Sequence, residues 1–241
     1  MILRDISFQL PEENILFDEV LLHMADKHQA GECLRFWESP VPFIVLGRAS
    51  KEHKDLNWDN IEKKCIPVLR RSSGGGTVVQ GGGCLNYAVV LSKKREGLSG
   101  IKSSYQIILG KIIETLIGLG IDAQFFPLSD IAISGTRRKF SGNAQRRGRE
   151  HILQHGSILY DFPLDKISQY LLMPKDIPEY RKSRSHLDFV CNAAIDRKRF
   201  KDILAQKFAI QKVNNILNQD ERIVLDNFIG TKDYVVRAIH G

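Results

Sequence analysis

The sequence predicts an α+β domain, with a mixed, largely antiparallel sheet flanked by helices. Three observations carry this. Apolar residues recur at helical spacing near both ends and in the middle of the chain. Short β-rich runs bounded by Gly, Pro and Ser lie between those stretches. Helices and strands do not alternate regularly, as the βαβ units of a parallel sheet would require.

The elements follow in order. Pro11-Glu12-Glu13 opens a helix, because proline is tolerated in the first turn and acids there suit the dipole. Ile15, Leu16, Val20, Leu21 and Met24 then keep one apolar face over residues 12–30. Residues 33–38 and 43–47 form a strand pair around Ser39-Pro40, and 66–70 and 85–91 are further strands. The clearest helix covers 103–119. Ile108, Ile112, Leu116 and Leu119 share its apolar face, and Gly120 stops it. Residues 131–134, 139–146 and 152–160 are three successive strands with tight turns. A short helix and a mobile loop fill 163–186, and helices at 196–208 and 219–229 close the chain.

Composition narrows the function classes. The chain has 241 residues, 43% hydrophobic and 26% charged, which is globular and excludes disordered and collagen-like classes. Its size supports a core without disulfide staples. Cysteines stand at 33, 65, 84 and 191 with no CxxC, and the seven histidines form no HExxH. Neither a zinc site nor a disulfide framework is expected, and a reducing cytoplasm is the simplest location. Charges break every long apolar stretch, so no membrane association is expected. Arg4 and Asp5 interrupt the one candidate leader.

The formal charge is +7, and residues 136–150 carry most of it. Arg137, Arg138, Lys139, Arg146, Arg147 and Arg149 stand there against Glu150 alone, a net +5. The run reads as a solvated face or as a surface for phosphates or an acidic partner. Nucleic acid is not expected, since small polar residues rather than aromatics interleave the charges.

Four motifs carry candidate chemistry. The first is Arg70-Arg71-Ser72-Ser73-Gly74-Gly75-Gly76-Thr77-Val78-Val79. Consecutive glycines let backbone N–H groups approach an anion, and arginine presents a fork suited to phosphate or carboxylate. A plain hairpin turn is the other reading. It is not a P-loop, because no Gly-Lys-Ser/Thr follows. The second, Gly81-Gly82-Gly83-Cys84-Leu85-Asn86, suggests a second backbone segment approaching the same ligand, with Cys84 more fitting as core than as nucleophile. The third is Asp130-Ile131 followed by Lys139-Phe140-Ser141-Gly142-Asn143-Ala144-Gln145-Arg146, a strand too small and polar for ordinary packing. The fourth is His155-Gly156-Ser157-Ile158-Leu159.

Together and in this order, with Phe36-Trp37 and Val45-Leu46-Gly47-Arg48, these motifs resemble the lipoate-protein ligase A family. The similarity runs over residues 14–190. It implies a biotin/lipoyl-ligase-like catalytic fold with a family-like core at 1–190, closing helices at 191–241 and no accessory domain. Such ligases activate lipoate or octanoate with ATP and pass the acyl group to a lysine of a carrier domain. The resemblance implies Lys139 as the catalytic cation, touching both the acyl carboxylate and the α-phosphate. It implies a binding site built from Arg71, Ser73, Gly74, Gly75, Gly76, Thr77, Val78, Val79, Asn86, Asp130, Gly142, Asn143, His155 and Gly156. ATP and Mg²⁺ are expected as a substrate complex near Asp130 and Asn86, with lipoate as co-substrate and no tightly bound metal. The implied partners are lipoyl domains of 2-oxoacid dehydrogenase complexes or the glycine cleavage H protein, and a separate accessory subunit. Two relatives form the alternatives: a cysteine-dependent octanoyl or lipoyl carrier-to-carrier transferase, and a transfer-only lipoyl-AMP enzyme needing a partner chain. Cysteine relatives place their nucleophile where this chain has Met173-Pro174-Lys175 or Phe125-Phe126-Pro127-Leu128, which contain none.

Overall fold

Two sheets share the strands, as seen in a computed structural model that describes residues 1–174 and 177–237, without the side chains of His53 and Arg237. In chain order the strands are β1 (Ile2–Asp5), β2 (Cys33–Trp37), β3 (Phe43–Leu46), β4 (Val68–Arg70), β5 (Val78–Gln80), β6 (Cys84–Ser92), β7 (Ala123–Phe126), β8 (Asp130–Ile133), β9 (Lys139–Arg147), β10 (His151–Leu159), β11 (Lys212–Val213) and β12 (Val235–Arg237). The helices are α1 (Pro11–Asp26), α2 (Glu52–Asp55), α3 (Trp58–Lys63), α4 (Ile101–Gly118), α5 (Asp165–Tyr170), α6 (His186–Phe189), α7 (Arg197–Lys207) and α8 (Gln219–Thr231). The large sheet runs β11-β1-β2-β6-β10-β9-β8-β7 and the small one β12-β4-β3-β5. Among the described strands, only β11–β1, β1–β2 and β3–β4 pair in parallel, so the fold is α+β and largely antiparallel, as predicted.

One face of the large sheet is covered by α4 and α7 over a core that includes Tyr87, Val89, Ile108, Ile112, Phe140 and Phe200. The opposite face packs against α1, with α8 behind it. The small sheet has its own core with α3 and α5. The cleft described below lies between the small sheet and the α1-side face of the large one. Among the described residues, no helix is long and apolar enough to cross a membrane.

Several expectations need correction. Residues 33–37 and 43–46 do not pair with each other: β2 joins β1 and β6, while β3 joins β4 and β5. The connection between them carries Pro40 and Pro42, which lack ladder donors, and buried Ser39 closes a local turn on Val41. The chain therefore changes sheet there instead of turning back. Helix α1 ends at Asp26 rather than near 30, because His28 takes a positive φ of 59° and the next amides fold back onto Met24. Strands β1, β7, β11 and β12 were not anticipated, and the last two mean that the C-terminal segment adds edges to both sheets. The region expected to be a mobile loop is anchored where it is described: Arg184 bonds to the carbonyls of Thr136, Arg137 and Tyr180, and Arg181 lies over the Phe189 ring. Lys175, part of that expectation, lies outside the described residues.

Candidate functional site

The loop between β4 and β5 holds the first glycine triplet, and its shape is set by Arg71. The guanidinium is buried and donates to the carbonyls of Gly74 (2.7 Å), Gly76 (2.8 Å) and Val45 (3.3 Å). Its Nε donates to Ser73 Oγ at 3.1 Å. Burial pulls this arginine down to about 10, still cationic at neutral pH. Gly75 has φ +87°, a conformation that favours glycine. A Cβ on Gly47 would collide with the Gly75 carbonyl, so two backbone segments touch there. Gly74 and Gly76 have open space where a side chain would stand. Thr77 is tied to Asp55 at 2.6 Å, Val79 is buried in the small-sheet core and Val78 is partly buried beside it.

The loop faces strands β9 and β10. Ser73 Oγ lies 2.6 Å from His155 Nε2, and a Cβ on Gly75 would stand 3.0 Å from the Arg71 guanidinium and 3.9 Å from Ala144. On the same face, Lys139 extends across Gly142, with its ammonium 2.7 Å from Asp130. The other Asp130 oxygen accepts from Tyr180 at 2.6 Å, and Tyr180 stacks on Phe126. Burial, then the Asp130 charge, pushes the Tyr180 phenol far up, so it remains a donor. Register builds a row across four strands on this face: Asn86, Ser157, Gly142 and Asp130 are successive neighbours. Gly142 and Ser157 are small and partly exposed, so the row forms a floor on which an elongated ligand can lie.

The structure therefore brings Arg71, Ser73, Gly74, Gly75, Gly76, Asp130, Lys139, Gly142 and His155 around one cleft. Others stand apart. Asn143 points to the α4 side, where it meets the Tyr87 hydroxyl and Ser129, and a Cβ on Gly156 would collide with that same Asn143 side chain. Asn86 shares the cleft face, but its amide is paired in both directions with Gln80. Asn86 and Asp130 are three strand spacings apart, roughly 14 Å, so they cannot share one Mg²⁺. Among the described residues, no group of three or more His, Cys, Asp or Glu could hold a metal. The second glycine triplet does not reach the cleft loop. Gly81 packs on Pro42, and Gly83 sits against the Asp161 carbonyl.

Three of the four thiols, those of Cys33, Cys84 and Cys191, are buried. Cys191 is a backbone neighbour of Lys139, its N–H donating to the Lys139 carbonyl, but its side chain packs in the α4 core. Burial raises it. Cys84 faces the cleft side of β6, fully buried, with its thiol pushed up to about 12. Cys65 is exposed in the α3–β4 turn.

The basic run does not form one surface. Strand alternation sends Arg146 to Glu19 on the cleft side. Arg147 goes to the other face, where it binds the carbonyls of Leu98 and Ser99. Arg138 is likewise bound to the carbonyls of Leu187 and Val190. Arg137, Arg146 and Arg149 remain exposed.

Sequence reasoning missed Asp18, Arg35, Gln80 and Tyr180. His155 Nδ1 faces Asp18 Oδ2 at 3.3 Å, and Asp18 Oδ1 lies 2.6 Å from Arg35, which is fully buried. An arginine inside the apolar run Cys33-Leu34-Arg35-Phe36-Trp37 was the available signal, since a charge there needs a buried partner.

Comparison with known proteins finds similar sequences and a similar fold. The sequence profile of the lipoyl protein ligase A/B catalytic domain matches residues 10–209. The lipoate-protein ligase LplJ of Bacillus subtilis is 27% identical over 213 residues, 88% of this chain and 60% of that protein. The octanoyltransferase LipM of Bacillus cereus is 28% identical over 198 residues, 72% of this chain and 70% of that protein. The chain spans about half to two thirds (47–64%) of the length of the curated ligases it matches. Among solved structures, a bi-partite lipoate protein ligase from Thermoplasma acidophilum, described with its E2 lipoyl domain, superimposes with a TM-score of 0.79 at 21% identity. That match covers 95% of this chain and 91% of that one, and it establishes the fold.

Proposed function

The chain belongs to the lipoyl protein ligase A/B catalytic-domain family, and we propose that within it this protein is an ATP-dependent lipoate-protein ligase. It activates lipoate or octanoate to the acyl-adenylate and passes the acyl group to a lysine of a lipoyl carrier domain. The observation that carries this reading is the Lys139 ammonium, held 2.7 Å from Asp130 across Gly142, the strand β9 glycine next but one to Ala144, which Gly75 of the loop approaches.

The chemistry needs such a cation. A carboxylate oxygen attacks the α-phosphorus, the Pα–O bond to the β-phosphate breaks, and pyrophosphate leaves. Both reactants are anions, and a fixed ammonium between them stabilises the charge that gathers in the transition state. Asp130 and Tyr180 hold the ammonium in place until a ligand anion takes it over. Mg²⁺ bound to the ATP substrate would screen its phosphate charge. In the second step the acceptor amine attacks the acyl carbon, the C–O bond to phosphate breaks, and AMP leaves with formation of the amide. The acceptors are lipoyl domains of 2-oxoacid dehydrogenase complexes or the glycine cleavage H protein, in the cytoplasm.

The cysteine-transferase reading has less support, because Cys84 and Cys191 are buried with raised thiols and Cys65 lies outside the cleft. A nucleophilic cysteine needs accessible thiolate. Lipoate-dependent ATP–pyrophosphate exchange, with mass spectrometry of a lipoyl domain, tests the reading. Exchange and a lipoylated domain are expected, and Lys139→Ala lowers exchange by about 10²- to 10³-fold with the fold intact. Acyl transfer without exchange, with a thioester trapped on Cys84 or Cys191, establishes the transferase. Transfer from supplied lipoyl-AMP alone establishes a transfer-only enzyme.

A further inference from the structure

A line of hydrogen bonds runs from the core of α1 to the glycine loop, and every donor in it can be assigned. Arg35 is fully buried and donates to Asp18 Oδ1 at 2.6 Å and to the Asn14 carbonyl at 2.7 Å. Asp18 turns its other oxygen to His155 Nδ1 at 3.3 Å. A carboxylate paired with arginine only accepts, so the proton between the two lies on Nδ1. Nε2 is then an acceptor, and Ser73 O–H donates to it at 2.6 Å. That leaves a Ser73 lone pair for Arg71 Nε at 3.1 Å. The Arg71 fork finally donates to the carbonyls of Gly74 and Gly76. Donation converges on Asp18: Arg35 donates to it from the core, and Arg71 to Ser73, Ser73 to His155 and His155 to Asp18 run toward it from the loop.

We infer that Asp18, oriented by Arg35, is a positioning residue: by fixing the His155 tautomer it orients Ser73 and the Arg71 fork that shapes the glycine loop. Asp18 stands 137 positions from His155 in sequence, and its side chain is only 3% exposed, so it acts through other residues. The purpose of the loop shape rests on the ligase reading, but the relay itself does not. Ser73, His155 and Asp18 also have the spacing of a nucleophile, base and orienting acid. Two features favour positioning over nucleophilic attack. Ser73 is 1% exposed, and its oxygen already accepts from Arg71.

The test uses side-chain ¹H–¹⁵N correlation spectra of the histidines and amide hydrogen exchange of residues 71–77. His155 is identified from the spectrum of His155→Gln. In the unsubstituted protein, His155 is expected as the Nδ1–H tautomer. In Asp18→Asn the new carbonyl stays with Arg35, and its NH₂ faces Nδ1. The ring must then switch to Nε2–H, the change that Asp→Asn produces in such hydrogen-bonded triads. Exchange at the bonded Arg71 and Ser72 amides is expected to rise at least about tenfold, and kcat/KM for ATP in pyrophosphate exchange to fall about 10- to 100-fold, the usual cost of disturbing a supporting partner. Because a neutral amide at position 18 leaves the buried Arg35 without its counter-charge and can prevent folding, Ser73→Ala is the second variant. It should keep the Nδ1–H tautomer, keep Tm within a few degrees and still raise loop exchange about tenfold. An unswitched tautomer in folded Asp18→Asn overturns the inference. So does unchanged loop exchange in Ser73→Ala, or an acyl ester captured on Ser73. Absence of pyrophosphate exchange in the unsubstituted protein overturns the ligase reading alone, since tautomer and loop exchange are read without substrate.

Discussion

The two glycine triplets are close in sequence and opposite in physical role. Gly74–Gly76 forms a loop whose first and third members border open space, with its carbonyls gathered by Arg71. Gly81–Gly83 is a tight turn into β6 whose first and third members are already filled against neighbouring backbone, with only Gly82 open. Gly81 (φ +153°) meets Pro42, and Gly83 (φ +86°) lies against Asp161, whose N–H and that of Tyr160 both donate to the Gly83 carbonyl. Glycine serves one site by leaving room for a ligand and the other by letting two backbones touch. The lesson is that a run of glycines reports close approach without saying what approaches.

The sharpest way to break this comparison is Gly83→Ala. A Cβ there would collide with the Asp161 backbone and would also sit at positive φ. Left-handed strain of about 1–2 kcal/mol and overpacking of about 1–3 kcal/mol together predict a loss of roughly 2–5 kcal/mol. Chemical denaturation measures it. A loss under about 1 kcal/mol would mean that the second triplet is not held by backbone contact.

Next in size is Gly142→Ala, on the floor that the first triplet faces. The added Cβ would stand 3.2 Å from the Lys139 ammonium and 3.3 Å from its Cε. The flexible end of the lysine can shift by a few tenths of an ångström, so stability should change little. The ammonium would leave its position, however, and kcat/KM for lipoate-dependent pyrophosphate exchange is expected to fall about 10- to 100-fold. Unchanged kinetics would separate Lys139 from the reacting anions.

How much of this was legible in the sequence depends on whether the determinant is local. Helices α4 and α7 were readable, because apolar spacing and the Gly120 stop act within the segment. The site strand β9 was readable because Ser141, Gly142 and Asn143 are too small and polar for ordinary packing. The division into two sheets was not readable. Residues 33–37 and 43–46 have the same β-rich composition, and only tertiary partners assign them to different sheets. The same holds for Asn143, which the sequence places beside Gly142 but which alternation and the Tyr87 hydroxyl turn to the opposite face. Arg147 shows the reverse error: a charge that looked like surface is tied into the loop at Leu98 and Ser99.

A smaller effect is expected from Gly76→Ala. No heavy atom lies within 4 Å of its would-be Cβ and its φ is unstrained, so folding should be unaffected. If the loop offers its backbone to a nucleotide, a methyl group there hinders the approach. The KM for ATP should rise about 3- to 10-fold, which corresponds to roughly 0.6–1.4 kcal/mol, with kcat nearly constant. A variant that loses stability instead would make the two triplets alike.

The smallest effect belongs to Cys84→Ala, directly after the second triplet. Burial pushes this thiol from 9.0 up to about 12, so between pH 7 and 10 it stays protonated in the folded protein. Nucleophilic reaction needs the thiolate. Iodoacetamide should therefore leave Cys84 unlabelled over that range while exposed Cys65 reacts. Alanine removes one buried sulfur, at a cost of about 1 kcal/mol by the usual scale for small core deletions, and activity should stay within about twofold once the variant is folded. Labelling of native Cys84 near neutral pH, together with loss of turnover in the alanine variant, would reverse the assignment. The second triplet would then adjoin a nucleophile, and the cysteine route would replace the adenylate route through Lys139.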